Sequence, residues 1–226
     1  MFFGEPFEWI RFLRALVTRI PAVIFALGLH EWAHARAAVA RGDTTPILLG
    51  RATPNPLKHL DPIGLTVFFL FGYGWSRPIP INPVKLKKKR DILVIAFAGP
   101  LFSLVLGFIT GLVYYSFGLH RYSYFFNPEA SQGTILTRYL SDLMGFFMVS
   151  NFVIFIFNLF PIMPLDAANL WMTLYTSKHM KKVIGYQVYG IVILLFLVVS
   201  GLAGIIMNPV VDFFRLLLIQ TSKIWP

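Results

Sequence analysis

The chain has 226 residues, 57% of them hydrophobic and 16% aromatic, with a mean hydropathy of +0.69 and only 13% charged side chains. Soluble domains carry about 25% charged residues, so this composition excludes an ordinary soluble domain and leaves room for about four to six membrane helices of roughly 20 residues each. The formal net charge is +10, but the charge is concentrated in a segment between apolar runs, including Lys85, Lys87, Lys88, Lys89 and Arg90, which marks a cytoplasmic loop and argues against a nucleic-acid partner. With no cysteine, disulfides and thiolate ligands are excluded, and any metal site must use His, Asp or Glu.

Residues 1 to 20 read as an amphipathic N-terminal segment in which Arg11, Arg14 and Arg19 interrupt apolar positions. They form an interfacial helix or an extension of the next one. No cleavable signal peptide is expected, because cleavage near Ala33-His34-Ala35 would destroy the motif described below. Pro21 suits a first helical turn, and residues 21 to 40 are the first spanning helix, stopped at Arg41-Gly42-Asp43.

That helix carries His30-Glu31-Trp32-Ala33-His34 at the end of the apolar run Ala22 to Leu29. Residues four apart share a helix face, so both imidazoles can meet one metal ion, and Glu31 can act as general base towards a water on it. Ionisable groups at membrane depth are by default a functional site, and burying all three without a partner would cost several kcal/mol.

Four prolines exclude a continuous helix in residues 44 to 62. The apolar run Ile63 to Phe71 is too short to cross a bilayer as a helix. Residues 44 to 83 are therefore expected to hold a re-entrant or β-like segment, followed by the extended, Pro-rich Trp75 to Pro83. Residues 91 to 118 form the second helix, with Gly99-Pro100 as a kink and Gly107 and Gly111 as a close-approach pair. Residues 119 to 136 are a loop.

The third helix runs from about Arg138 to Asn158, and its Asn151 and Asn158 can point the same way. Pro161 to Asn169 breaks it just where Asp166 appears. Lys178, Lys181 and Lys182 precede a last long apolar stretch, about residues 183 to 206, and residues 207 to 226 read as an amphipathic tail. Residues 21 to 206 thus make one membrane-embedded domain in an all-α polytopic membrane protein.

A catalytic zinc needs a third protein ligand and an open fourth position. His120 is expected across the membrane and His179 lies in a basic loop. Asp166 stands out because it follows a spanning helix that ends on the motif's side, in a proline-held turn. His59 and Asp61 are its competitors, with loop hydrogen bonds as their alternative role.

His30-Glu31-Trp32-Ala33-His34 together with Asn158-Leu159-Phe160-Pro161-Ile162-Met163-Pro164-Leu165-Asp166 resembles the paired motifs of the site-2 protease family of intramembrane zinc metalloproteases. Ala98-Gly99-Pro100-Leu101-Phe102-Ser103 is similar to a third family segment. Arg51 to Gly64 and Gly74 to Pro83 look like the compact subgroup without a PDZ domain. The resemblance covers about residues 20 to 206. It implies a three-helix catalytic core, Zn2+ held by His30, His34 and Asp166, Glu31 activating water, and Asn158 positioning substrate or oxyanion. Ala167 stands where the family usually has Gly, and Ser103 where Asn is usual.

The implied reaction is hydrolysis of peptide bonds in or near transmembrane segments of membrane-protein substrates, with membrane lipid as the surrounding partner. The competing reading is a divalent metal transporter or metal-binding membrane protein using the same cluster. The basic loops, residues 41 to 90 and 160 to 182, predict a multi-pass cell-membrane protein with its active site towards the cytoplasm. Arg11, Arg14 and Arg19 oppose that orientation at the N-terminus. The sequence sets no oligomeric state.

Overall fold

A computed structural model describes residues 9–88, 90–127, 133–168 and 180–222; side chains at 10, 11 and 180–187 are outside the description. The described residues are helical, with no strand. In chain order they form α1 (Trp9–Ala40), the single turn α2 (Thr45–Leu48), α3 (Pro62–Phe71), α4 (Asp91–Ser116), α5 (Ile135–Phe157), α6 (Met180–Val199) and α7 (Leu202–Ser222). Four of these, α1, α4, α5 and α7, contain stretches long and apolar enough to cross a membrane.

The core is the mutual packing of α1, α4 and α5, with α7 laid against α4 and α5. The sequence dictates how closely they approach. On α4 every fourth residue from Gly99 is small and buried: Gly99, Ser103, Gly107 and Gly111. The opposite stripe, Leu101, Val105, Ile109 and Leu112, is exposed and suits lipid. Small residues let helix backbones approach where no hydrophobic force separates protein from lipid, and Gly107 accordingly receives the ring of Phe152 while Gly111 receives Leu218 and Met148. On α1 the matching inward row is Ala22, Ala26, His30, His34 and Ala38, all buried. The motif thus lies on the face that meets α4 and α5.

Residues from Trp9 onward continue into α1 without a break, so the described part of the N-terminal segment is the helical extension rather than a separate interfacial helix. Pro21 sits inside that helix. The short apolar run is helix α3, ten residues long, about 15 Å and too short to span. Asp61 caps its start by accepting from the Gly64 N–H at 2.8 Å, and Gly72 ends it in the left-handed conformation, φ 88°. The following residues, 73 to 82, are neither helix nor strand and pair in no ladder. The single backbone bond that joins the two sides of this loop region is Arg77 N–H to His59 O at 2.8 Å.

The C-terminal part differs from the expected layout. The apolar stretch breaks at Gly201, φ 79°, and residues 207 to 222 belong to α7, which runs through Pro209. An internal proline is tolerated in a packed membrane helix because neighbours re-satisfy the freed backbone groups. Asp212 and Arg215, which make the tail look amphipathic, pair with each other at 3.3 Å, one turn apart.

Candidate metal centre

The site lies near one end of the three-helix core. Arg41, just beyond α1, meets Asp91 at the start of α4 at 3.4 Å, so the C-terminal end of α1 and the N-terminal end of α4 coincide. His34 is six residues from the end of α1 and His30 ten, placing the imidazoles about 9 and 15 Å below it.

Asp166 is brought to the same place by the turn after α5. The Asn158 carbonyl accepts from the Ala167 N–H at 3.0 Å, closing the loop, and Leu165 is buried beneath it. One carboxylate oxygen, Asp166 Oδ2, stands 3.0 Å from His30 Nε2 and 3.0 Å from His34 Nε2, and the two Nε2 atoms are 3.2 Å apart. Ligand atoms bonded at about 2.0 Å to one tetrahedral ion stand about 3.3 Å from each other. The observed triangle is within a few tenths of an ångström of that shape, and these three residues form the one described group of His, Asp and Glu able to hold a metal ion.

Hydrogen bonding identifies the atoms that face inward. His34 Nδ1 is 2.7 Å from the Ile95 carbonyl, an acceptor only, so Nδ1 carries a proton and Nε2 is the atom through which the ring can bind a metal. His30 Nδ1 is held by Ser103 Oγ at 3.0 Å. With both rings neutral an imidazole lone pair faces the carboxylate oxygen, acceptor against acceptor, an opposition that a bound cation or a ring proton removes. Such outer hydrogen bonds fix ring orientation in metal sites. The room for the His34 ring is made by Gly99: a Cβ there would stand 2.6 and 2.7 Å from Cδ2 and Cε1 of His34, and closer still to Nε2.

Glu31 is 4% exposed and its Oε1 accepts from Ser76 Oγ at 2.5 Å. Its Oε2 is buried without a hydrogen-bond partner among the described residues, leaving one carboxylate oxygen available on the residue that follows His30. Ser76 arrives from the segment after α3. That segment is clamped on both sides, since the Arg77 N–H donates to His59 O while the Arg77 carbonyl accepts from the buried Arg51 guanidinium at 2.7 Å. Burial lowers the basicity of Arg51 and of His59, and the Glu31 charge partly restores both.

The competing ligands occupy structural places. His59 is fully buried with Nε2 on the Thr53 carbonyl at 2.8 Å, and Asp61 caps α3. His120 lies beyond the far end of α4, beside Tyr115. His179 falls outside the described residues. The Asn158 side chain donates to the Ile154 carbonyl at 3.0 Å, and Asn151 likewise bonds back to Phe147. Four contributors escaped the reading of the sequence: Ser76, the hydroxyl of Ser103 as partner of His30, the Ile95 carbonyl, and the space at Gly99. The period-four row of small residues on α4 was the available signal for two of them.

Fold and site together describe a helical membrane protein in which two buried histidines and a partly buried aspartate form a group able to hold a metal ion, with a glutamate next to the first histidine in sequence. Over 207 residues, 89% of this chain and 91% of the other, the sequence is 32% identical to a Bacillus subtilis (strain 168) protein named "Putative zinc metalloprotease YwhC". The chain belongs to the same zinc metalloprotease family. No family model matches it, and no solved structure does.

Proposed function

We propose that the chain is an intramembrane zinc endopeptidase of the site-2 protease type, cutting peptide bonds in or near the transmembrane segments of membrane-protein substrates. The observation that carries this reading is that His30, Glu31 and His34 lie within a helix long and apolar enough to span a bilayer, with Asp166 brought against both histidines by the turn after a second such helix. The kinship with a protein named as a zinc metalloprotease supports the metal and the reaction.

In this reading His30, His34 and Asp166 hold zinc. When bound, it supplies a water of near-neutral pKa and polarises the scissile carbonyl. Glu31 takes one proton from the attacking water at Oε2 and returns it to the leaving amine nitrogen as the C–N bond breaks. Asn158 uses one amide proton on Ile154, and its second is available to a substrate carbonyl. The segment from Tyr73 to Ile81, which joins no ladder and among the described residues is tied by backbone hydrogen bonds only at Arg77, can serve as the template on which an unwound substrate segment adds as a strand. The basic residues of the loop between α1 and α4 favour a multi-pass orientation in the cell membrane with this end towards the cytoplasm.

The test is reconstitution in liposomes with a labelled single-span substrate, followed by mass mapping of the products. Cleavage within or at the edge of the span, abolished by a zinc chelator and restored by zinc, is expected. Zinc-independent cleavage, or intact substrate together with zinc flux across the vesicle, would sink the proposal.

A further inference from the structure

Beyond the motif residues, one buried contact reaches the proposed base from a distant part of the chain. Ser76 is 8% exposed and Glu31 4%, and the hydroxyl donates to Glu31 Oε1 at 2.5 Å across 45 residues of sequence. The contact is imposed by the backbone rather than by a mobile side chain. Gly74 lies against the Gly64 carbonyl and the Phe68 backbone N, and Gly64 lies against the Trp75 backbone, so close that neither position leaves room for a Cβ. The next residue, Arg77, is held at both backbone groups, its N–H donating to His59 O and its carbonyl accepting from Arg51. Ser76 is thus delivered to Glu31 by a segment fixed at both flanks.

A carboxylate has two equivalent oxygens, and a general base works only when one of them is aimed at the proton it takes. Here Oε1 is occupied by Ser76 and Oε2 has no partner among the described residues. We propose that Ser76 is a positioning residue for the reaction. Its hydroxyl occupies Oε1, stops rotation of the carboxylate about its terminal bond, and commits Oε2 to proton transfer. This rests on the proteolytic reading above. A misplacement of about 1 Å at a catalytic group can cost on the order of 100-fold in rate, so the expected loss on removing the hydroxyl is about 10- to 100-fold.

Ser76→Ala, Ser76→Thr and Glu31→Gln are compared with wild type in phosphatidylcholine vesicles. On zinc-free protein, the infrared band that disappears in Glu31→Gln identifies the Glu31 carboxylate. Ser76→Ala is expected to shift that band, and Ser76→Thr to leave it in place. With zinc, Ser76→Ala should lower kcat about 10- to 100-fold at unchanged KM and unchanged bound zinc, and Ser76→Thr should recover most of the loss. An unshifted band, or equal turnover by wild type and Ser76→Ala, overturns the assignment. So does a loss carried by KM alone, or a threonine variant as impaired as alanine. A wild-type protein that binds zinc and cleaves nothing, with the band shift present in Ser76→Ala, overturns the proteolytic reading instead.

Discussion

Replacing Gly99 by alanine tests the link between helix packing and the metal centre. The added Cβ would lie 2.6 Å from Cδ2 of His34, against an ordinary contact distance of at least 3.4 Å. Nε2 lies closer still, so the imidazole must retreat by more than about 0.8 Å, or α1 and α4 must separate by as much. Metal–ligand distances tolerate only about 0.2 Å. Because Nδ1 is anchored on the Ile95 carbonyl, the ring cannot slide away without also losing that bond. Zinc affinity should fall about 10- to 100-fold, read by competition with a chromophoric chelator. Overpacking also costs about 1 to 3 kcal/mol of stability, so a control is needed. Gly107→Ala crowds Phe152 on the same helix face, without touching a ligand. It should lower the thermal midpoint in detergent comparably yet keep wild-type zinc affinity. If Gly99→Ala binds zinc as tightly as wild type, or Gly107→Ala weakens it equally, the geometric argument fails.

Asp166→Ala removes the carboxylate that both histidines face, and bound zinc measured by mass spectrometry should drop well below one per chain, whereas His59→Ala should destabilise the loop yet keep the metal. Gly28→Ala would press a Cβ onto Pro56 and push the 52–60 loop from α1, lowering the thermal midpoint by the equivalent of about 1 to 3 kcal/mol. Asp43 gives a pH signature. Burial raises its carboxyl, but hydrogen bonds from Thr45 and the Asn82 N–H outweigh it and hold the group below its ordinary 3.8. Its folded value lies below the unfolded one, so its stabilisation is complete above that unfolded value and is lost as pH falls through the folded value. Asp43→Asn keeps one acceptor oxygen and puts an NH2 donor against one of the two N–H groups that the carboxylate accepts from, costing about 1 to 3 kcal/mol at neutral pH. The gap from wild type in thermal midpoint should narrow as pH falls below the ordinary 3.8, and a gap constant with pH would contradict the assignment.

Much of the site was legible because its chemistry is local. His30 and His34 share a helix face by spacing alone, and Asp166 announces itself as an acid in a proline-rich helix break on the same side. What supports them is not local. Ser76 is 45 residues from Glu31, and Ser103 is 73 from His30; serines carry no pattern that says which acid or imidazole they will meet. Gly99 reads as half of a Gly-Pro kink, whereas its packing duty is space for an imidazole from another helix. At the C-terminal end Pro209, Asp212 and Arg215 each count against a spanning helix when taken singly. Their costs vanish once the acid and base pair one turn apart and the proline lies in a helix packed against α4 and α5.

The central claim is that Glu31 does the proton transfer at a zinc centre held by other residues. The most direct measurement takes wild type and Glu31→Gln from parallel preparations and determines bound zinc and cleavage of the same labelled single-span substrate on each sample. The account predicts about one zinc per chain in both and cleavage by wild type alone. Equal cleavage by the two proteins at equal zinc content would contradict it.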